Sequence, residues 1–388
     1  MRILMVLERE YPEDERVSKE IRTLCANGHE VVLACYTKIN RKPHETINGI
    51  EIFRSPISKF IDKTSVGALK APFYFNFWIH FIKDVLNSKT TDAIHIHDLP
   101  LAKVGFKISR EYKLKFILDL HENWPVLLEL SPHTKSLLGR LLSNNKQWLK
   151  YEKKYASLAD VLVVVAEGMK ERLINRGVSN KNIAIVPNTS SPDIFERLKD
   201  IRPDAQFVTL YYAGGINRHR GLDIVIKGLS KTNLPDNFRF RIIGEGKNRP
   251  YLKKMVDRLK LGKYVIFMGW KAHNEVLELL FSSDIAVIPH LRNEHTDNTS
   301  PNKIFHYMLA KKPVLSSDCK YLKNIIDKTQ AGLVYTDSDP SEFAEKLEYL
   351  LQHRETWSLY GENGYRAVIE TFNWENTSRP LIKAYQEL

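Results

Sequence analysis

The chain has 388 residues, 43% hydrophobic and 27% charged, with a formal net charge of +12 and a pI near 9.3. That length exceeds one comfortable core and predicts two domains, and the composition excludes disordered, collagenous and low-complexity classes. Cys25, Cys35 and Cys319 are too few and too scattered for a disulfide framework or a zinc site, which fits a reducing cytoplasm.

The opening "MRILMVLEREYPEDERV" has a short apolar run and then acids, too short for a signal peptide or a membrane span. "RILMVL" predicts a buried strand, "VSKEIRTLCANGHE" a helix closed by Gly28, and "VVLACY" a second strand. The intervening "EREYPEDER" reads as solvated loop at the crevice end of the first strand. Further on, "ALKAPFYFNFWIHFIKDVLN" gathers Phe73, Tyr74, Phe75, Phe77, Trp78 and Phe81 with lysines at its ends. It fits either a core helix or an amphipathic helix on a membrane or a lipid-linked acceptor.

Strands are predicted at "AIHIHD", "KFILDLH", "VLVVVA" and "IAIVPN", alternating with helices. Residues 1–194 therefore read as a doubly wound α/β domain with its ligand crevice at the strands' carboxyl ends. In "HIHDLP" the alternation puts His95 and His97 on one strand face, as in a metal site. No further ligand is evident in the sequence, so a crevice-lining role is the reading. Between 103 and 154 eleven Lys/Arg face five Asp/Glu, an excess of +6 that includes "KSLLGRLLSNNKQWLKYEKKY". Such a bias predicts phosphorylated substrates or an anionic membrane surface, whereas nucleic acid has only charge in its favour and no binding signature.

After the polar break "SSPDIFERLKDIRPDAQ" a second α/β domain is predicted over 195–373. Its strands are "VTLYYAGG", "FRFRIIGEG", "VIFMGW", "IAVIPH" and "PVLSSD", and a last amphipathic helix, 374–388, is expected to pack back on the first domain. The acidic "DSD" at Asp337–Asp339 precedes Pro340 and a helical stretch, so Asp339 reads as an N-cap rather than a metal ligand.

Two helix starts in this half carry cations that the helix dipole disfavours by roughly 0.3–1 kcal/mol each. In "NTSPNKIFHYMLAKKPVL", Ser300 is the expected N-cap, Pro301 follows, and Lys303 stands where a capping box wants Glu or Gln. In "YYAGGINRHRGLDIVIKGL", Gly214 and Gly215 end a strand, and Arg218 and Arg220 lead to a helix at about Gly221. Glycines after a strand admit a ligand close to the backbone. If the two starts converge, an anion with several phosphate oxygens accounts for both. Gly244 and Gly246 in "IIGEGK" add a third glycine-bearing strand end, and no GK[ST] follows to make a P-loop.

Taken in order, "YAGG" with Arg220-Gly221, "IIGEG", "VIFMGW", "SDIAVIP" and "SPNKIFHYMLAKKPVL" resemble the family-four glycosyltransferases. In the first half "PEDERVSKEIRTLCANGHEV", "HIHDLP", "ILDLHENWP" and "IAIVPN" extend the resemblance over nearly the whole chain. The resemblance implies a retaining enzyme with the GT-B fold, two Rossmann-like domains facing a cleft. It implies a nucleotide-sugar as donor substrate, no cofactor, and a glycan or lipid-linked acceptor. By the same resemblance Arg220 and Lys303 hold the diphosphate and His121 serves the donor sugar. Gly244, Gly246, Gly269 and Trp270 lie near the nucleoside, and Asn298, Thr299, Ser300 and His306 line the donor site. The chain departs from the family at the E-x7-E pair, which is here Asn298 and His306, with Asp297 adjacent. It departs again where an arginine usually follows the first phosphate-loop glycine: this chain has Gly215, with Arg218 as the replacement. The alternatives are a GT-B sugar-nucleotide epimerase, an inverting transferase, or a non-catalytic nucleotide-sugar-binding subunit.

Overall fold

The structure is a computed structural model that describes residues 1–130 and 144–388. Part of the basic 103–154 stretch, residues 131–143, lies outside the described residues. The chain divides into unit 1, Met1–Pro187 with Ser378–Leu388, and unit 2, Asn188–Thr377.

Unit 1 holds β1 (Arg2–Leu7), β2 (Glu30–Thr37), β3 (His44–Ile47), β4 (Ile50–Pro56), β5 (Ala93–His97), β6 (Lys115–Leu120), β7 (Val161–Val164) and β8 (Ile183–Ile185). They form one sheet in the order β3-β4-β2-β1-β5-β6-β7-β8, parallel except for the β3–β4 hairpin. β1, β5, β6 and β7 are buried along almost their whole length, as strands covered by helices on both faces must be. The chain winds outward from β1 through β2 to β4, then returns to β5 and winds the other way. The switch point therefore lies between β1 and β5, where a crevice forms beyond the carboxyl ends.

Unit 2 holds β9 (Val208–Ala213), β10 (Phe238–Ile243), β11 (Val265–Gly269), β12 (Ile285–Ile288), β13 (Val314–Ser317) and β14 (Gly332–Tyr335). All are parallel, in the order β11-β10-β9-β12-β13-β14, so its switch point lies between β9 and β12.

Two expectations need correction. The first boundary falls at 187/188, upstream of residue 194. Asn188 donates its N–H to Ser300 Oγ at 3.3 Å, and Ile194 belongs to a core of unit 2. The terminal segment is likewise split. Trp374–Thr377 stays with unit 2, while Arg379–Gln386 packs Leu381, Ala384 and Tyr385 into unit 1. The β3–β4 hairpin and β14 are strands that the apolar runs alone do not predict. The hairpin had a usable signal in Asn48-Gly49, which takes left-handed φ of +51° and +81° as a tight hairpin turn requires.

Candidate functional site

The strand ends of unit 2 assemble stepwise. Gly214 N–H donates to the Ile243 carbonyl at 2.9 Å and Gly244 N–H to the Gly269 carbonyl at 2.8 Å, which sets the ends of β9, β10 and β11 side by side. A Cβ on Gly244 would come 2.1 Å from the Gly214 carbonyl oxygen, so only glycine permits this stacking. Ile216 N–H donates to the Glu245 carbonyl at 2.9 Å, which carries the Gly246 turn along. Beyond Gly269, Trp270 is 74% exposed.

Lys303 reaches this row from the other side of the switch point. Its ammonium donates to the Ala213 carbonyl at 2.9 Å and lies 4.8 Å over the Tyr212 ring. Gly214 makes room for it, because a Cβ there would stand 2.6 Å from Lys303 Nζ. Burial, and then the Arg220 guanidinium, hold the ammonium well below the usual lysine range. Arg220 comes from a short turn, Arg218–Arg220, ahead of the helix Leu222–Leu229. Its Nη1 donates to His290 Nε2 at 2.9 Å, just past β12. Burial and then Arg220 keep His290 well below the usual histidine value, so it accepts as a neutral ring. The same two causes, in the same order, push His219 down to about 4 and His295 to about 3. Among the described residues neither Arg220 nor Lys303 makes an ion pair with a carboxylate; an imidazole and a carbonyl hold them instead.

The remaining expected residues are placed less uniformly. Gly215 and Arg218 are exposed. Asn298 turns back, donating from Nδ2 to the Glu294 carbonyl at 2.7 Å. Asp297, adjacent to it, accepts from the Lys320 N–H at 2.7 Å and lies 3.4 Å from Arg292, so its carboxylate is already engaged. Ser300 is not the N-cap. The helix begins at Lys303, and the Ser300 hydroxyl donates to Tyr321 OH at 2.9 Å. Thr299 lies between in the same loop, and His306 sits edge-on to His273 at 6.1 Å between ring centroids. Asp339 caps the helix Pro340–Gln352, accepting from Ser341 N–H at 2.8 Å.

In unit 1, His121 follows β6 beneath the carboxyl end of the sheet. Asp119 Oδ2 lies 3.2 Å from its Nε2 and Asp98 Oδ2 3.8 Å from its Nδ1, so a carboxylate flanks each ring nitrogen. Against the cost of burial, Asp119 and then Asp98 raise His121 to about 9, which makes it an imidazolium at neutral pH. Asp119 is held in turn by Arg16 Nη2 at 3.2 Å, and Arg16 Nε lies 3.0 Å from Glu20. Burial and the neighbouring Asp119 raise Glu20 well above the carboxylate range. His95 and His97 stack at 4.5 Å; His97 Nδ1 is 3.2 Å from His121 Nε2 and His95 Nδ1 is 2.8 Å from Tyr385 OH.

Both histidines are fully buried, so they back His121 rather than line an open crevice. The expectation that they lack further ligands is also overturned. Glu20 and Asp119 bring ligand atoms that, with theirs, all lie within 4.8 Å of one another. Arg16 lies 3.2 Å from Asp119 and 3.0 Å from Glu20, and His121 lies 3.2 Å from Asp119, so a guanidinium and an imidazolium already stand among these ligand atoms. The cluster is an ionic network rather than a metal cradle. Arg16, which closes the stretch expected to be solvated loop, is instead 5% exposed in the helix Glu15–Ala26, and sequence reasoning missed Glu20, Asp119 and His290, which only the tertiary fold brings to the site. Glu8, just past β1, opens that same stretch. Burial lifts it to about 7 against a hydrogen bond from Tyr74.

The aromatic helix spans Phe73–Ser88 and buries Tyr74, Phe75 and Trp78 in the core of unit 1, as the core-helix reading of its composition expects. No helix among the described residues is long and apolar enough to cross a membrane.

Residues 208–353 match the family described as Glycosyl transferases group 1, and residues 15–189 match the Glycosyl transferase 4-like domain. The chain belongs to the group 1 glycosyltransferases. Its two doubly wound units constitute the GT-B fold of such glycosyltransferases. An uncharacterised glycosyltransferase of Methanocaldococcus jannaschii is 24% identical over 79% of this chain and 78% of its own. The alpha-monoglucosyldiacylglycerol synthase of Acholeplasma laidlawii is 21% identical over 72% of this chain and 71% of its own. The HepE protein of Anabaena, solved with UDP, superposes with a TM-score of 0.71 at 15% identity and full coverage of both chains.

Proposed function

We propose that this glycosyltransferase takes a sugar from a nucleoside diphosphate sugar held in unit 2 and transfers it, with retention of configuration, to a glycan or lipid-linked acceptor. The observation that carries the reading is the pair Arg220 and Lys303, two cations at one switch point with no carboxylate partner. A diphosphate supplies the missing charge. It also gains in the transition state, because leaving-group charge develops where guanidinium, ammonium and backbone N–H groups are already arranged. Cations in this role stand in for a metal, so the reaction proceeds without one. UDP in the similar HepE structure supports a uridine donor, and the name of the Acholeplasma relative supports a lipid acceptor. His121, held as an imidazolium, joins Arg220 and Lys303 as a catalytic residue. Gly214, Gly215, Arg218, Gly244, Gly246, Trp270, Asn298, Thr299, Ser300 and His306 make up the donor site, in a protein at the cytoplasmic face of the membrane.

The second reading, a binding subunit without turnover, is favoured by Asn298 and His306 in place of the paired glutamates. Thermal stabilisation by a panel of UDP- and GDP-sugars identifies the donor, and proton NMR of the product reads the anomeric configuration. Stabilisation by a nucleotide-sugar with no transfer to any glycan or lipid acceptor would leave the subunit reading in place. Stabilisation by none would overturn both.

A further inference from the structure

Unit 2 has a second opening, at the edge of its sheet opposite the proposed donor site. A cavity of about 450 Å³ lies where the chain enters the strands. Arg202 precedes β9, Phe281 ends the helix His273–Phe281 that leads into β12, and Lys312 precedes β13. β9, six residues long, puts this edge roughly 20 Å from Gly214. The rings of Phe195 and Phe281, 6.2 Å apart between centroids, form the apolar wall. Four cations line the cavity against one acid, Asp200. Two of them are already neutralised, since Lys199 pairs with Glu196 at 2.6 Å and Lys311 with Glu362 at 2.7 Å. The other two are not. Lys312, 7% exposed, donates to the Phe281 carbonyl at 2.7 Å, and the Arg202 guanidinium donates to the carbonyls of Lys199 and Ile201. Among the described residues neither makes an ion pair with a carboxylate; Asp284, the acid that acts most strongly on Lys312, accepts from the Thr209 N–H at 2.7 Å. Burial, opposed by Asp284 and reinforced by Arg202, brings Lys312 down to about 8, so it is still a cation at neutral pH.

We infer that this cavity is a second ligand site of unit 2, for a small organic phosphate whose phosphoryl group meets Arg202 and Lys312 and whose apolar body lies against Phe195 and Phe281. A guanidinium fork and an ammonium, each satisfied only by carbonyls, suit an oxyanion with several oxygens. Burial adds to the preference, because a desolvated ammonium without a carboxylate partner gains from an anion brought beside it. Volume argues against a bare ion. One water molecule takes about 30 Å³ of liquid, so inorganic phosphate would leave most of the cavity unfilled, whereas sites for small organic molecules span about 300–1,000 Å³. The helix Lys303–Leu309 begins at the donor edge and runs into Ala310, Lys311 and Lys312, so one element borders both sites.

The test is calorimetric titration of the full chain with phenyl phosphate, with and without excess UDP to occupy the donor site. One equivalent of phenyl phosphate is expected to bind in excess UDP, roughly tenfold or more tighter than inorganic phosphate because its ring is buried. Arg202→Glu, at an exposed position, should weaken that binding roughly tenfold or more, and Lys312→Met should do the same. Circular dichroism checks the fold of both variants, and Arg202→Glu decides alone if Lys312→Met does not fold. The inference is overturned if the chain takes up no phenyl phosphate in excess UDP, or if inorganic phosphate binds as tightly. It is also overturned if Arg202→Glu binds phenyl phosphate as tightly as the unmodified chain. Failure of the donor reading is distinguishable, because Arg202→Glu locates the bound phosphate whether or not UDP binds.

Discussion

Arg16 in unit 1 and Arg220 in unit 2 both lie at a switch point of a parallel sheet, and they are held in opposite ways. Arg16 is 5% exposed and faces two carboxyl groups, Asp119 and Glu20, with its Nη1 donating to the Val186 carbonyl at 2.9 Å. Arg220 faces a neutral imidazole, and its neighbour Lys303 faces a carbonyl. The first cation is satisfied within the fold, so it stabilises structure and positions His121. The second has no carboxylate counter-charge among the described residues, which leaves it open to the anionic ligand proposed above. The difference separates charge that builds a domain from charge left without a counter-ion, although the two look alike in a count of basic residues.

The largest effect should come from breaking the closed cluster. Arg16→Ala leaves Asp119 buried beside Glu20 with its strongest partner gone, a loss of about 3–5 kcal/mol. For a unit of this size that lowers the melting temperature by roughly 10 °C, measurable by calorimetry. Arg220→Ala, by contrast, should leave the melting temperature of the unliganded protein nearly unchanged. Equal losses for the two variants would erase the contrast.

Next in size is the effect on ligand. Arg220→Ala should weaken UDP or GDP binding at least tenfold, about 1.4 kcal/mol, by titration calorimetry. Lys303 sharpens the same point, because its ammonium is held well below its usual range until an anion arrives. Diphosphate binding at mildly alkaline pH should therefore take up protons, seen as a dependence of the binding enthalpy on the buffer's ionisation enthalpy. Lys303→Met should abolish that uptake.

A smaller effect tests the closed cluster through pH. His121 titrates near 9 in the folded chain against 6.5 ordinarily, so its contribution to stability is fully present below 6.5 and is lost as pH rises through about 9. Urea unfolding between pH 6.5 and 9 should show this decline, and His121→Gln should flatten it. A decline of the same slope in that variant would mean that another group titrates there. The smallest expected change is none: sugar transfer should survive EDTA. Loss on chelation with recovery in magnesium or manganese would overturn the metal-free reading and return attention to the acids of unit 2.

Local chemistry made much of the fold legible. Apolar runs alternating with amphipathic stretches have only one economical packing, the doubly wound sheet, and β1, β5 and β9 fall where their apolar runs place them. Glycine at the ends of β9 and β10 and cations at two helix starts likewise follow local rules, so the approach of Lys303 to the end of β9 could be anticipated from residues 214–221 and 298–306. The partners of those cations could not, because His290 lies 70 residues from Arg220 and meets it only through the β9–β12 pairing. The same holds for Asp119 and Arg16, and for His95 and Tyr385, which are 290 residues apart. The aromatic helix shows the limit most clearly. Its composition fits a core and a membrane equally, and only packing decides that Trp78 is interior while Phe60 and Phe73 face outward. Sequence determines which side chains are available and their spacing along the chain; tertiary structure decides which of them meet and lose water, and with that which charges are spent and which remain free.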